Sequence, residues 1–107
     1  MEKKFQYFSV KDSDLFLQIH FHFHQLTPEI EQEIFGFLTT IYFSMQPNLK
    51  IDLKDLEYVD LKMITFLFNL GKELYLKEKH LILSNPPPSM VEYARTIQMD
   101  EIIIFRA

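Results

Sequence analysis

Three histidines occupy alternate positions, His20, His22 and His24, with Phe21 and Phe23 between them. In an extended strand, residues two apart point to the same face, so the imidazoles line up on one side and the phenyl rings on the other. A His-x-His pair can supply two ligands of a zinc centre, and three nitrogen ligands leave a position open for water or substrate. Same-face neighbours stand about 6.6–6.8 Å apart along a strand. Two imidazoles can therefore converge on one ion, while the third splays away. The preferred reading is that the phenylalanines fill a core and the histidines form the polar side of a hairpin, so no metal ligand set is assigned. A histidine row can also respond to pH near neutrality, but nothing else in the sequence supports a sensor. Of the acidic residues, Asp60 precedes an apolar-periodic segment and reads as a helix N-cap, accepting from the free N–H groups of the first turn. Asp52 ends a strand-like run and can hydrogen-bond in the same loop. No third ligand at metal spacing accompanies these two carboxylates.

Most other chemistry is excluded by residue type. There is no cysteine, hence no disulfide, thiolate metal site or thiol nucleophile. No Gly-x-Ser-x-Gly occurs, and the only glycines, Gly36 and Gly71, lie within helical patterns, which argues against a phosphate-binding loop or a dinucleotide fingerprint. The net charge is −4 and no Lys/Arg run is long enough to track a phosphate backbone, so no nucleic-acid partner is expected. Met1-Glu2-Lys3-Lys4 leads into a strand pattern rather than an apolar signal core. The apolar stretches fall well short of the ~20 residues that span a bilayer. A non-enzymatic cytoplasmic protein without cofactor or membrane insertion is expected.

The elements that must hold these residues are marked by changes of period. Phe5 to Val10 reads as a strand, Asp12-Ser13-Asp14 as a tight turn, and Leu15 to Phe23 as a second strand forming a hairpin with the first. Thr27-Pro28-Glu29 is a helix start, with Thr27 as cap and proline at the first helical position. Ile30, Ile34, Phe37, Leu38, Ile41 and Met45 follow at helical spacing, up to Pro47-Asn48. Leu49 to Leu53 is a short strand. A second helix runs from the Asp60 cap to about Glu78, with Ile64, Leu67, Phe68, Gly71 and Leu74 inward. His80 to Ser84 is a strand, and Asn85-Pro86-Pro87-Pro88 breaks the chain. Ser89 caps a third helix carrying Met90, Tyr93, Ala94 and Ile97. Ile102 to Phe105 closes as a strand that could be buried on both faces. The 107 residues thus form a single domain, 1–107, of α/β class in the order β-β-α-β-α-β-α-β, with a mixed, mostly parallel sheet.

Ile51-Asp52-Leu53-Lys54-Asp55-Leu56-Glu57-Tyr58-Val59-Asp60 resembles the strand-loop segment of STAS domains, the fold of bacterial anti-sigma factor antagonists. Leu81-Ile82-Leu83-Ser84-Asn85-Pro86 resembles their late strand with its Asn-Pro exit, and Met99-Asp100 their hydrophobic-Asp pair before the closing strand. The resemblance covers nearly the whole chain and is strongest from Leu49 to Phe105. It implies a STAS-like fold and a role in docking another protein. The family's Ser-Ser-Gly-Leu-Gly, however, is replaced by Leu61-Lys62-Met63-Ile64-Thr65. Its phosphorylated serine falls on Lys62, which has no hydroxyl and the wrong charge to imitate phosphoserine. The family's Gly-x-Leu-Asp is likewise replaced by Phe21-His22-Phe23-His24.

The expected partner-binding residues are Lys54 and Asp55 in the loop, Asp60, Leu61, Lys62, Met63 and Phe66 at the helix start, and His24 nearby. Phe35, Tyr42 and Phe43 on the first helix, and Met63, Phe66 and Leu70 on the second, fall off the inward stripes and suggest an apolar flank. The partner implied by the resemblance is a kinase-type anti-sigma factor or another STAS chain, including a second copy in a homodimer. The alternatives are an accessory subunit of a membrane lipid or anion transport complex and a His-dependent metal protein.

Overall fold

The computed structural model describes residues 2–12, 16–42 and 48–106. The strands are β1 (Glu2–Lys4), β2 (Phe8–Asp12), β3 (Leu17–Phe21), β4 (Leu49–Asp52), β5 (Leu81–Ser84) and β6 (Ile103–Arg106). The helices are α1 (Pro28–Tyr42), α2 (Leu61–Leu76) and α3 (Pro88–Thr96), with a 3-10 turn at Met99–Glu101. The strands lie in one six-stranded sheet in sequential order. The β1–β2 and β2–β3 pairs are antiparallel, whereas β3–β4, β4–β5 and β5–β6 are parallel. This is the mixed, mostly parallel α/β sheet that the alternation of elements predicts.

Register divides the sheet into two faces. Val10, Ile19, Ile51, Leu83 and Phe105 pair across it, as do Leu17, Leu49, Leu81 and Ile103. These side chains share one core with Ile30 and Ile34 of α1, Met63 and Leu67 of α2, and Met90 and Ala94 of α3. All three helices therefore cover this face. The opposite face carries the row Ser9, His20, Asp52, Ser84 and Arg106 and the row Lys11, Gln18, Lys50, Ile82 and Ile104.

Several local expectations change. Phe5 to Val10 is not one strand: the chain reverses through Phe5–Tyr7, where the Phe5 N–H donates to the Phe8 carbonyl at 2.8 Å, and Glu2–Lys4 forms an additional edge strand. Phe5 packs in this turn, stacked on Phe8 with ring centroids 4.5 Å apart. Ser89 lies inside α3, which starts at Pro88 without a side-chain cap, because proline's fixed φ and missing N–H suit the first helical position. The closing strand is buried on one face only: Ile103 is buried while Ile104 is 37% exposed. Asp12 of the expected turn ends β2, while Ser13, Asp14, Leu15, Phe43, Met45 and the side chains of Phe35, Leu38, Ile41 and Tyr42 lie outside the description.

Gly71 brings α2 close to the sheet. A Cβ there would stand 2.5 Å from both Cδ1 and Cγ1 of Ile103. Helix propensity favours replacing glycine by about 0.5–1 kcal/mol. Overpacking opposes it by about 1–3 kcal/mol, most strongly for a branched side chain that cannot turn away. Gly71→Val is therefore expected to destabilise the fold by about 2 kcal/mol in urea unfolding; an unchanged midpoint would show that the helix-to-sheet contact is loose.

Candidate functional site

The polar residues gather at the carboxyl ends of β3, β4 and β5, the edge where open α/β sheets usually place their ligands. Two loops meet there. Residues 22–27 link β3 to α1, and residues 53–60 link β4 to α2. The His24 carbonyl accepts from the backbone N–H groups of Glu57 at 3.0 Å and Tyr58 at 2.9 Å. The His24 Nδ1–H donates to the Asp55 carbonyl at 3.0 Å. Leu26, Leu53 and Leu56 anchor the loops in the core. The segment preceding α2 is thus held by both backbone pairing and apolar burial.

Both predicted caps form. The Ile30 N–H donates to Thr27 Oγ1 at 3.3 Å, and the Met63 N–H donates to Asp60 Oδ1 at 2.9 Å. A side-chain cap contributes about 1 kcal/mol, so Asp60 has a structural task whatever else it does. Asp52 ties loops together: its Oδ1 accepts from the Lys54 N–H and from Asn85 Nδ2, each at 3.0 Å. Asn85 adopts a left-handed backbone, with φ of 55°, and its N–H donates to the Arg106 carbonyl. Asparagine tolerates that conformation better than most residues. The Asn-Pro exit is therefore tied to both neighbouring strands, its side chain to Asp52 and its backbone N–H to Arg106.

The start of α2 separates into an exposed and a buried part. Leu61 is 65% exposed, and Tyr58 in the preceding loop is 61% exposed. Lys62 projects beside them, its Nζ 3.0 Å from Glu31 Oε2 on α1. Glu31, Leu61, Lys62, Thr65, Phe66 and Asn69 line a shallow groove of about 410 Å³ along the two helices. Met63 and Phe66, expected on an outward flank, are instead 0% and 6% exposed, and Leu70 is half-buried. The buried arc of α2 extends from Phe66 through Met63, Leu67 and Gly71 to Ile64, roughly 160° at about 100° per residue. Phe68, expected inward, is only partly buried and carries Lys72 Nζ over its ring at 4.2 Å.

The histidines are held unequally. His20 and His22 stack with ring centroids 4.5 Å apart. His20 Nε2 is 3.1 Å, and His22 Nδ1 3.8 Å, from the same oxygen, Asp55 Oδ2. His24 turns away to the loop backbone, with Glu57 Oε1 3.6 Å from its Nδ1. Two of the three imidazoles converge, as strand geometry requires, and an aspartate from another loop meets them. Sequence reasoning missed that encounter, because Asp55 lies 35 residues beyond His20. It also passed over Tyr58 as a separate contact; an aromatic residue shortly before a helix cap was the available signal.

No known family matches the chain by sequence, and no curated protein does. Its fold does have a counterpart. The structure is similar to the crystal structure of a candidate anti-sigma factor antagonist from Thermotoga maritima, with a TM-score of 0.75 and 14% identity, over 95% of this chain and 87% of that one. The chain has the STAS-like fold that its strand-loop and Asn-Pro segments resemble. Among the described residues, no helix is long and apolar enough to cross a membrane.

Proposed function

We propose that this chain is a protein-docking regulator of the anti-sigma factor antagonist type, which engages its partner through the loop 54–60, His24 and the first turn of α2. The observation that carries the reading is the pair of large, exposed apolar side chains, Tyr58 and Leu61, flanking the α2 cap on a loop pinned from behind. Exposed aromatic and aliphatic side chains on a preorganised backbone make efficient anchors, because little conformational entropy remains to be lost on binding. Lys54, Asp55 and Lys62 form the polar rim of this surface. Met63 and Phe66 support it from inside rather than touching the partner. The partner is a kinase-type anti-sigma factor or another STAS chain, in the cytoplasm, and the chain performs no chemical step on it.

Regulation in this reading does not pass through phosphate at the helix start. Leu61 and Lys62 carry no hydroxyl, and Thr65 lies a turn inside α2, away from the free N–H groups that stabilise an anion at a helix terminus. Partner binding is instead set by abundance or by another ligand.

Lys62 separates charge from folding. The Lys62–Glu31 pair is partly exposed and is worth about 0–1 kcal/mol. Lys62→Met should leave stability within about 0.5 kcal/mol and reduce affinity a few-fold. Lys62→Glu sets a carboxylate against Glu31 as well as against the partner, so it should reduce both. The test is affinity capture from the source cell, followed by titration of the identified partner against wild type and the two variants. Equal affinity across all three would remove Lys62 from the surface.

A further inference from the structure

We infer that His20, His22 and Asp55 form a binding site for a divalent transition metal of the zinc class. One ligand atom from each residue lies within 4.8 Å of the other two. Tetrahedral zinc, with bonds of about 2.0–2.1 Å, holds its ligands roughly 3.3 Å apart. The His20 Nε2 to Asp55 Oδ2 distance is already 3.1 Å, and the His22 Nδ1 to Asp55 Oδ2 distance is 3.8 Å. Small rotations of these partly exposed side chains would close the set.

The outer shell distinguishes this cluster from a chance gathering of surface charges. Each imidazole turns one nitrogen toward Asp55 and the other toward a second partner. His20 Nδ1 faces Asp52 Oδ2 at 3.7 Å, and His22 Nε2 lies 3.0 Å from Ser9 Oγ. Metal-ligating histidines characteristically give their remaining nitrogen to a carboxylate, carbonyl or hydroxyl, which orients the ring and fixes its tautomer. Asp52 is in turn held by the Lys54 N–H and Asn85, and the Asp55 backbone by His24. The partners come from four separate segments that the sheet register brings together: Ser9 from β2, the histidines from β3 and its exit, Asp52 from β4, and Asp55 from the following loop.

Two imidazoles and one carboxylate leave at least one coordination position open, and this donor set suits zinc and its first-row neighbours rather than magnesium or calcium. A cleft of about 200 Å³ shares Ser9, His20 and Asp52 with the cluster, giving that position room for water or a small ligand. Bound metal would also clamp Asp55, and with it the loop leading to Tyr58, onto β3. The inference does not depend on partner docking, since the isolated chain suffices to test it.

The test titrates metal-free full-length chain with Zn²⁺ alone against a chromophoric chelator, with Co²⁺ as spectroscopic probe. One equivalent of Zn²⁺ is expected, with Co²⁺ giving the visible bands of a four- or five-coordinate site. Saturation at about 100 times the dissociation constant should raise Tm on the order of 10 °C. His22→Ala and Asp55→Asn should each weaken binding at least tenfold while circular dichroism stays unchanged. His80→Ala, outside the cluster, should retain it. Absence of binding to wild type, or binding that survives His22→Ala and Asp55→Asn, or binding that requires His24 instead of Asp55, would overturn the assignment.

Discussion

Phe21→Ala is expected to lower the unfolding free energy by about 3–5 kcal/mol, read as a shift of the urea midpoint at constant slope. Phe21 is fully buried, stacks on Phe23 with centroids 4.8 Å apart, and pairs with Phe8 across the hairpin. Removing its ring deletes a large apolar surface and leaves a cavity at the end of the core beneath the carboxyl end of β3. The residues on either side of it in sequence should behave in the opposite way. Alanine at His20, His22 and His24 together, in metal-free protein, removes solvent-accessible polar contacts to Asp52, Asp55, Glu57 and Ser9 rather than core packing, and such surface changes usually stay within about ±0.5 kcal/mol each. The fold should persist with little change. A triple variant that unfolds, or a Phe21→Ala protein of near-native stability, would show that the two faces of β3 have been assigned the wrong way round.

That alternation was legible in the sequence because a strand has a period of two residues and the His and Phe types differ so sharply. The helix starts were legible for a similar reason: Thr27-Pro28 and Asp60 are local signals, needing only a hydroxyl or carboxylate and the next turn of backbone. Parallel β3–β4–β5–β6 pairing followed from strands alternating with helices.

What was hidden depended on distant partners. Glu2–Lys4 has no apolar alternation to declare it a strand; it pairs antiparallel along the edge of β2. Phe5-Gln6-Tyr7-Phe8 has strong strand propensity, yet the chain turns there, because Phe5 gains more by stacking on Phe8 and lying against Phe37, at 5.1 Å, than by extending the ladder. The inward face of α2 was drawn too narrowly, since Leu26 and Leu56 from the loops enlarge the same core that holds Met63 and Phe66. Asp55 could be identified as a loop acid but not as the neighbour of two histidines from an earlier strand.

The proposed docking surface therefore rests on fewer side chains than the sequence suggested, and Leu61 is the one that best isolates it. Its side chain is largely exposed, it opens α2 next to the Asp60 cap, and it lines the groove beside Glu31 and Lys62. Aspartate there is tolerated by the folded domain, because negative charge is favourable in the first turn of a helix. Leu61→Asp should thus stay within about 0.5 kcal/mol of wild-type stability. Against a partner, the same change removes an apolar anchor and asks a carboxylate to be desolvated in its place, a loss of about 2 kcal/mol or more when the position is central to an interface.

The most direct measurement of the central claim is the dissociation constant of the captured partner for wild type and Leu61→Asp, determined by calorimetry after matching thermal unfolding curves confirm that both fold. The docking account predicts at least a 30-fold weakening, the equivalent of about 2 kcal/mol, with Tm essentially unchanged. Equal affinity for the two proteins would contradict it and exclude the start of α2 from the binding surface.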